Sequence, residues 1–361
     1  MNDQRPDDFR LQCPVPLGDR DTVQLAHGGG GRLMQGLIEG MFLPAFAQGE
    51  SLREAPAAVD VPHDSAVVHM GGLRLAFTTD SFVVSPLFFP GGDIGKLAVF
   101  GTVNDLAMAG AKPVVLSAGF ILEEGLELET LRRVVGSMRD AAREVGVRIV
   151  TGDTKVVDRG KGDGIFINTS GIGQVPEGVD VAPARVSPGD AILLSGDLGR
   201  HGIAVLSVRE GLRFEGAPPS DCASLAGLVQ TMLAAGADIH CLRDLTRGGL
   251  AAALNEIAGH ARVGIELDEA AVPVAEPVAG ACELLGLDPL YVANEGRLVA
   301  FVRAEAAQQV LQLMHSHPAA AGPAMIGSVV ADHPSVVELR SLLGGGRIVD
   351  QLSGEQMPRI C

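Results

Sequence analysis

The sequence predicts an α/β (α+β) protein of two domains with a flexible C-terminal tail. Its 361 residues are 47% hydrophobic and include 47 glycines but no tryptophan, a composition that suits strands and helices joined by tight turns. Residues 60–173 alternate between strand and helix patterns, and a proline- and glycine-rich linker near 175–190 precedes a second alternating unit. We therefore divide the chain into a polar extension, two domains and a tail, at residues 1–21, 22–178, 179–340 and 341–361.

The first domain has clear element signals. Asp93 is a candidate N-cap for an apolar helix at 94–109, and a second helix at 131–145 has its apolar residues at helical spacing. Strands are predicted at 73–80, 113–121, 147–150 and 165–173. The glycines of 28–31 precede a helix-like stretch at 33–46. They lack the Gly-Lys-Ser/Thr ending of a P-loop, so a flexible turn and a ligand-binding loop both stay open.

Charge and cysteine content exclude several functional classes. The net charge is −16, with no Lys/Arg cluster, which argues against nucleic acid and anionic membranes as partners. No apolar run approaches the roughly 20 residues of a membrane span, and the N-terminal residues lack the apolar stretch of a secretion signal. The five cysteines are far apart and form no C-x-x-C, which favours a reducing cytoplasm. Of these, Cys222, Cys241 and Cys282 have apolar neighbours and are predicted to lie in the core.

Polar stops interrupt the apolar elements of the first domain at four places. They are Asp64, Asp80, the pair Asn104 and Asp105, and the run Asp153-Thr154-Lys155. A buried carboxylate without a partner is costly, so these acids together predict a cation or ligand. Oxygen ligands converging from separate elements suit Mg²⁺ with nucleotide phosphates, although each aspartate alone could be a cap or turn residue.

The final residue, Cys361, follows glycine-punctuated segments and Pro358, a pattern typical of a mobile arm with a stiff tip. It is the one cysteine whose position predicts exposure. A frayed terminus with an incidental cysteine is the alternative interpretation.

These motifs resemble the HypE family of hydrogenase maturation proteins, in the superfamily of aminoimidazole ribonucleotide synthetase, selenophosphate synthetase and thiamine monophosphate kinase. The resemblance covers nearly everything from about residue 22 onward, and the terminal Pro-Arg-Ile-Cys separates HypE from its relatives. The residues that carry it are 27–32, 78–95, 101–110, 152–156, 244–250, 294–297 and 358–361. It implies the two-domain aminoimidazole ribonucleotide synthetase fold and a homodimer paired through the first domains.

The resemblance also implies a reaction. A carbamoyl group on Cys361 would be dehydrated with ATP to a thiocyanate, which supplies the cyanide ligand for the iron of NiFe hydrogenase. HypF would load the cysteine, and the HypC–HypD pair would receive the cyanide.

Each predicted site residue has a role in that reaction. The metal ligands would be Asp64, Asp80, Asp105 and Asp153, and Asn104 and Thr154 would help to bind ATP. Lys155 would neutralise phosphoryl charge, unless it is a solvated strand-end lysine.

Glu295 is the candidate base for the amide protons, with a surface pair to Arg297 as the alternative. Asp244 and Thr246 precede a predicted helix and are interpreted as caps.

Two other functions remain open. One is a small-molecule synthetase or kinase of the same superfamily, and the other is a non-enzymatic carrier of sulfur or cyanide that binds nucleotide only as a switch.

Overall fold

The computed structural model describes residues 22–46, 63–212, 216, 218–354, 357 and 359–361. The chain there forms two α/β domains, each with one sheet, and the predicted fold class is confirmed. Ahead of the first sheet lie a 3₁₀ turn at Leu25–Gly28 and helix α1 (Arg32–Leu37). These lead through a π turn at Ile38–Phe42 into α2 (Leu43–Phe46).

The first domain is a five-stranded sheet with two helices on one face. Its strand order is β1-β2-β7-β5-β6, and only β5 and β6 run parallel. The strands are β1 (Ala66–Met70), β2 (Leu73–Phe82), β5 (Lys112–Glu123), β6 (Arg148–Val157) and β7 (Ile165–Gln174). A short hairpin, β3 (Phe88–Phe89) and β4 (Gly92–Asp93), leads into α3 (Ile94–Met108), and α4 (Leu128–Val145) packs beside it.

Helix α3 is the central element of the molecule. The Asp93 carboxylate caps it by accepting the N–H groups of Gly95 and Lys96 at 2.8 and 3.1 Å, as predicted. The helix is apolar nearly all round because it contacts β2 and β7 on one side and two elements of the second domain on the other. It therefore holds its one aspartate, Asp105, between the two domains.

The second domain is a seven-stranded sheet in the order β14-β13-β10-β12-β8-β11-β9. Its strands are β8 (Ala191–Leu194), β9 (Ile239–Asp244), β10 (Gly264–Asp268), β11 (Leu298–Val302), β12 (Ala324–Val330), β13 (Val337–Arg340) and β14 (Gly346–Ile348). Its helices are α5 (Arg200–Arg209), α6 (Ala226–Ala234), α7 (Gly249–Ala261), α8 (Glu276–Leu285) and α9 (Ala304–Ser316).

Both faces of this second sheet are buried, in two separate cores. Leu193 points with α6 and α9 into a core shared with the first domain, whereas its neighbours Ile192 and Leu194 join α7 in the other core. This alternation follows from the two-residue period of a strand.

In contrast, the described residues leave the first sheet uncovered on the face opposite α3 and α4, which we call the open face. Along β2 the buried Ala76, Thr78 and Phe82 alternate with the exposed Phe77 and Thr79. Large apolar side chains that are exposed on this face include Phe77, its cross-strand partner Ile172, and Ile121 on β5. Such a patch is typical of an interaction surface.

The predicted arm at 341–361 is not free along its length. Residues Gly346–Ile348 form β14, which extends the second sheet by pairing with β13. Pro358 and the pair Glu355-Gln356 lie outside the described residues. In the part of the chain that the structure describes, no helix is long and apolar enough to cross a membrane.

Candidate active site

Three aspartates from separate elements meet between the domains. Asp64 precedes β1, Asp105 lies on α3, and Asp244 ends β9. One carboxylate oxygen of each lies within 4.8 Å of the others. We call Asp64, Asp105 and Asp244 the acidic cluster.

The acidic cluster is short of positive charge. Burial and mutual repulsion raise the pKa of Asp105 and of Asp244 well above the ordinary value, and burial raises that of Asp64 to about 6. Among the described residues, the arginine that pairs with the cluster is Arg243, which lies 2.9 Å from Asp64 and is shared with Glu256 at 2.5 Å. Oδ2 of Asp64 and Oδ2 of Asp244 are buried without a hydrogen-bond partner among the described residues. Converging carboxylate oxygens with orphaned lone pairs suit a hard divalent cation such as Mg²⁺.

The interpretation of Asp244 as a helix cap was wrong, because its carboxylate belongs to the cluster. An aspartate that ends an apolar strand and precedes a helix carries the same local signal in either role. Thr246 contributes its backbone carbonyl to the Gly249 N–H, at 3.0 Å.

Asp80 lies on the helix-facing side of β2, close to the cluster. Burial raises its pKa, which nearby Arg247 partly offsets, and its charge in turn raises the pKa of Asp105. Its predicted place near the cation is therefore compatible with the geometry.

Asn104 has a structural role that sequence reasoning missed. Its amide nitrogen donates to the Ala223 carbonyl at 3.1 Å, and its amide oxygen accepts the Leu225 N–H at 2.7 Å. Both ends of the amide are therefore occupied by the segment that leads into α6. The side chain therefore fastens α3 to the second domain, and its part in nucleotide binding stays a prediction.

A single chain does not bring Asp153, Thr154 and Lys155 to the acidic cluster. All three are exposed and lie inside β6 rather than after its end, and Lys155 pairs with Asp153 at 2.5 Å. That hydrogen bond lowers the pKa of Asp153. Strand β6 is three positions from β2, or about 14 Å at the usual strand spacing.

Glu295 is buried rather than at the surface. Its Oε1 has no hydrogen-bond partner in the described part of the chain, and Arg297 pairs instead with Asp197 at 2.9 Å. Burial, with the charges of Asp244 and Asp80, raises the pKa of Glu295 well above the ordinary value. The surface pairing considered above is therefore wrong.

The tip of the chain is docked inside the molecule, contrary to the predicted exposure of Cys361. The carbonyl of Ile360 lies 2.6 Å from His201 Nε2, and the carbonyl of Cys361 accepts the Val83 N–H at 3.0 Å. Cys361 Sγ lies 3.6 Å from Nη1 of Arg247, and Arg359 pairs with Asp163. Burial raises the pKa of the Cys361 thiol to about 12. In this position the thiol is protonated and shielded.

The glycine loop contacts the base of the tail. The Arg32 N–H donates to the Leu352 carbonyl at 2.9 Å, and a Cβ on Gly31 would lie 2.4 Å from that oxygen. A cavity of about 620 Å³ lies between this loop, Arg247 and Cys361. The loop therefore supports the docked tail, a role that neither earlier alternative included.

Comparisons with known proteins agree with this architecture. The chain matches the AIR synthase related protein family, through its N-terminal domain at residues 62–175 and its C-terminal domain at 187–340. It is 55% identical over 340 residues to the carbamoyl dehydratase HypE of Azotobacter vinelandii, covering 94% of this chain and 97% of that protein.

Two solved structures are also similar. A HypE–HypF complex has 47% identity and a TM-score of 0.80, and the match covers 88% of this chain and 99% of that one. HypE in complex with ATP has 48% identity and a TM-score of 0.78, with 94% and 100% covered. The resemblance inferred from the motifs is confirmed, and the chain belongs to the HypE family of carbamoyl dehydratases, within the AIR synthase related proteins.

Proposed function

We propose that this enzyme uses ATP to dehydrate an S-carbamoyl group on its own Cys361 to an S-cyanate. The thiocyanate would supply the cyanide ligand for the iron of NiFe hydrogenase. The observation that carries the proposal is the docked thiol of Cys361, which sits against Arg247 and is close enough to Glu295 and Asp80 for their charges to raise its pKa. The names of the relatives support the reaction type.

The reaction activates a poor leaving group. The carbamoyl oxygen attacks the γ-phosphorus of ATP, the bond to ADP breaks, and one N–H proton leaves the nitrogen. The C–O bond then breaks, phosphate departs with the electron pair, and the second N–H proton is lost as the nitrile forms. The products are the S-cyanate, ADP and phosphate.

Mg²⁺ fits the acidic cluster by donor type and charge. Asp64, Asp105 and Asp244 would hold it, with Asp80 beside them, and it would neutralise charge on the triphosphate. The two buried carboxylate oxygens without partners support this assignment.

Glu295 is the candidate proton acceptor. A carboxylate with a raised pKa is a stronger base than an ordinary one, and its free oxygen lies in the site that receives Cys361. Its buried position also keeps bulk water away from the nitrogen.

Asp153 and Lys155 would act on the nucleotide of a second copy of the chain. Pairing of two open faces would bury the exposed Phe77, Ile121 and Ile172. It would also bring Asp153 and Lys155, which lie on that face, up to the second copy of the chain. A homodimer therefore gives Asp153 and Lys155 a function that one chain does not, whereas Thr154 alternates with them and lies on the helix-covered side.

The partners follow from the chemistry of the tail. HypF, which forms a complex with a related HypE, would carbamoylate Cys361, and the HypC–HypD pair would accept the cyanide. Both exchanges require the tip to leave its pocket. The proposed setting is the cytoplasm, where the thiol would stay reduced.

Intact mass spectrometry tests the proposal. Incubation with HypF, carbamoyl phosphate, ATP and Mg²⁺ should add a carbamoyl mass and then remove one water, and Cys361→Ala should show neither change. A free small-molecule product with no mass change on the chain would favour the synthetase or kinase alternative. Turnover that is unchanged in both Lys155→Ala and Glu295→Ala would favour the carrier.

A further inference from the structure

Arg247 is a buried cation that forms no ion pair with the described residues, although Asp80 and Glu295 are near enough for their charges to act on it. It lies between Asp244 at the end of β9 and Gly249 at the start of α7. No carboxylate oxygen of the described residues lies within 4.0 Å of its guanidinium, and its buried Nε has no hydrogen-bond partner among them. Its one side-chain hydrogen bond among the described residues is to the Cys361 sulfur, at 3.6 Å.

The other buried arginines nearby differ from it. Arg243 pairs with Asp64 and Glu256, and Arg297 pairs with Asp197. A buried guanidinium without such partners is costly, and a neutral thiol is a weak acceptor. The site around Arg247 is therefore incomplete without an oxygen acceptor.

The backbone holds this arginine in place. Gly30 approaches so closely that a Cβ there would lie 2.6 Å from the Arg247 carbonyl oxygen. Gly248 follows with φ of 77°, which glycine adopts readily. These contacts fix the backbone of Arg247, from which its side chain extends to the docked tip.

We infer that Arg247 is a catalytic residue that binds the carbamoyl oxygen of modified Cys361 and stabilises the charge on it during phosphorylation and phosphate departure. This rests on the proposed function. In S-carbamoyl cysteine the oxygen is attached to the carbon next to sulfur. Carbamoylation therefore places a strong acceptor beside a cation that, among the described residues, donates only to the thiol. After phosphoryl transfer the same oxygen carries anionic phosphate oxygens, which the planar guanidinium fork can bind in a bidentate manner.

Arg247 stays protonated throughout. The electron pair of the C–O bond leaves with phosphate, and the N–H protons go to a base such as Glu295. Stabilisation is greatest where negative charge develops, which is the property of a transition-state contact.

The test follows single-turnover dehydration in the full chain with HypF, carbamoyl phosphate, ATP and Mg²⁺. Arg247→Ala should still gain the carbamoyl mass but convert it to cyanate roughly 10²–10³-fold more slowly, the usual loss for one charge-stabilising donor. Added guanidinium, far below unfolding concentrations, should restore part of the rate. Arg247→Lys should be intermediate, and the matched control Arg209→Ala, at the exposed end of α5, should convert normally.

Three results would overturn the inference. They are conversion by Arg247→Ala within about threefold of the unmodified chain, loss of carbamoyl loading, and a slow variant that guanidinium does not accelerate. If Arg247→Ala does not fold, Arg247→Lys converting at the full rate would overturn it equally. Failure of the unmodified chain to form cyanate would instead refute the proposed function.

Discussion

Replacing His201 by alanine should release the tail. The Ile360 carbonyl, 2.6 Å from His201 Nε2, can only accept, so Nε2 carries the ring proton and donates to it. Nδ1 of the neutral ring is then an acceptor for the Ser220 hydroxyl at 2.8 Å, and Ser220 Oγ in turn accepts the Cys222 N–H. Burial lowers the pKa of His201 and keeps the ring neutral.

The size of the effect follows from that hydrogen bond. A net contribution of about 0.5–1.5 kcal/mol is typical, and a buried carbonyl left without a partner costs about 1–3 kcal/mol. Edge-on contact with Phe89, at 5.3 Å between ring centroids, is lost as well. We expect docking to weaken by about 1–2 kcal/mol, or roughly 5–30-fold in the docking equilibrium.

Alkylation of Cys361 by iodoacetamide reports the undocked fraction. In a Cys13→Ser background, His201→Ala should be alkylated roughly 5–30-fold faster than the parent, as read by intact mass. His201→Gln, which retains an N–H donor, should fall between them, and the exposed His315→Ala should match the parent. An unchanged alkylation rate in His201→Ala would refute the idea that the His201–Ile360 hydrogen bond holds the tail in its pocket. Equal acceleration at the buried Cys222, Cys241 and Cys282 would do so too, since it would indicate global unfolding.

Three more outcomes are expected. Burial raises the Cys361 pKa from 9.0 to about 12, so docking is fully favourable below pH 9 and weakens as the pH rises toward 12. The alkylation rate should accordingly keep rising above pH 9, where a free tail peptide levels off, and a plateau in both would contradict this. Asp105→Asn should raise the melting temperature of the ligand-free chain by roughly 2–4 °C per kcal/mol of repulsion removed, while losing stabilisation by Mg-ATP. A lower melting temperature would contradict repulsion among the carboxylates of the acidic cluster. The control is Asp140→Asn, at an exposed aspartate outside that cluster. Phe77→Glu on the open face should yield monomers by light scattering, whereas Leu343→Glu, at a residue 98% exposed, should not. Equal masses for the two variants would rule out pairing through this face.

Local patterns in the sequence were sufficient to predict much of the secondary structure of the first domain. The Asp93 cap and helix α3 depend on neighbouring residues, and both were predicted closely. Asp64 and Asp105 were identified because a carboxylate in an apolar run is conspicuous wherever the chain folds. Asp244 was not, because a cap residue and a ligand look alike at a strand-to-helix junction.

Long-range contacts explain the remaining differences. Docking of the tip depends on Val83, His201 and Arg247, which are more than 100 residues away in sequence. The exposure of Asp153 and Lys155 depends on a sheet face without a helix layer, which no pattern within β6 indicates.

The docked tail has a kinetic consequence. Because the reacting sulfur belongs to the same polypeptide as its pocket, the tether sets its local concentration, of millimolar order for short flexible linkers. While the proposed dimer stays assembled, dehydration should therefore be first order and independent of protein dilution, and a free carbamoyl thioester would compete poorly. In that range dilution should slow only the encounters with HypF and with the HypC–HypD pair.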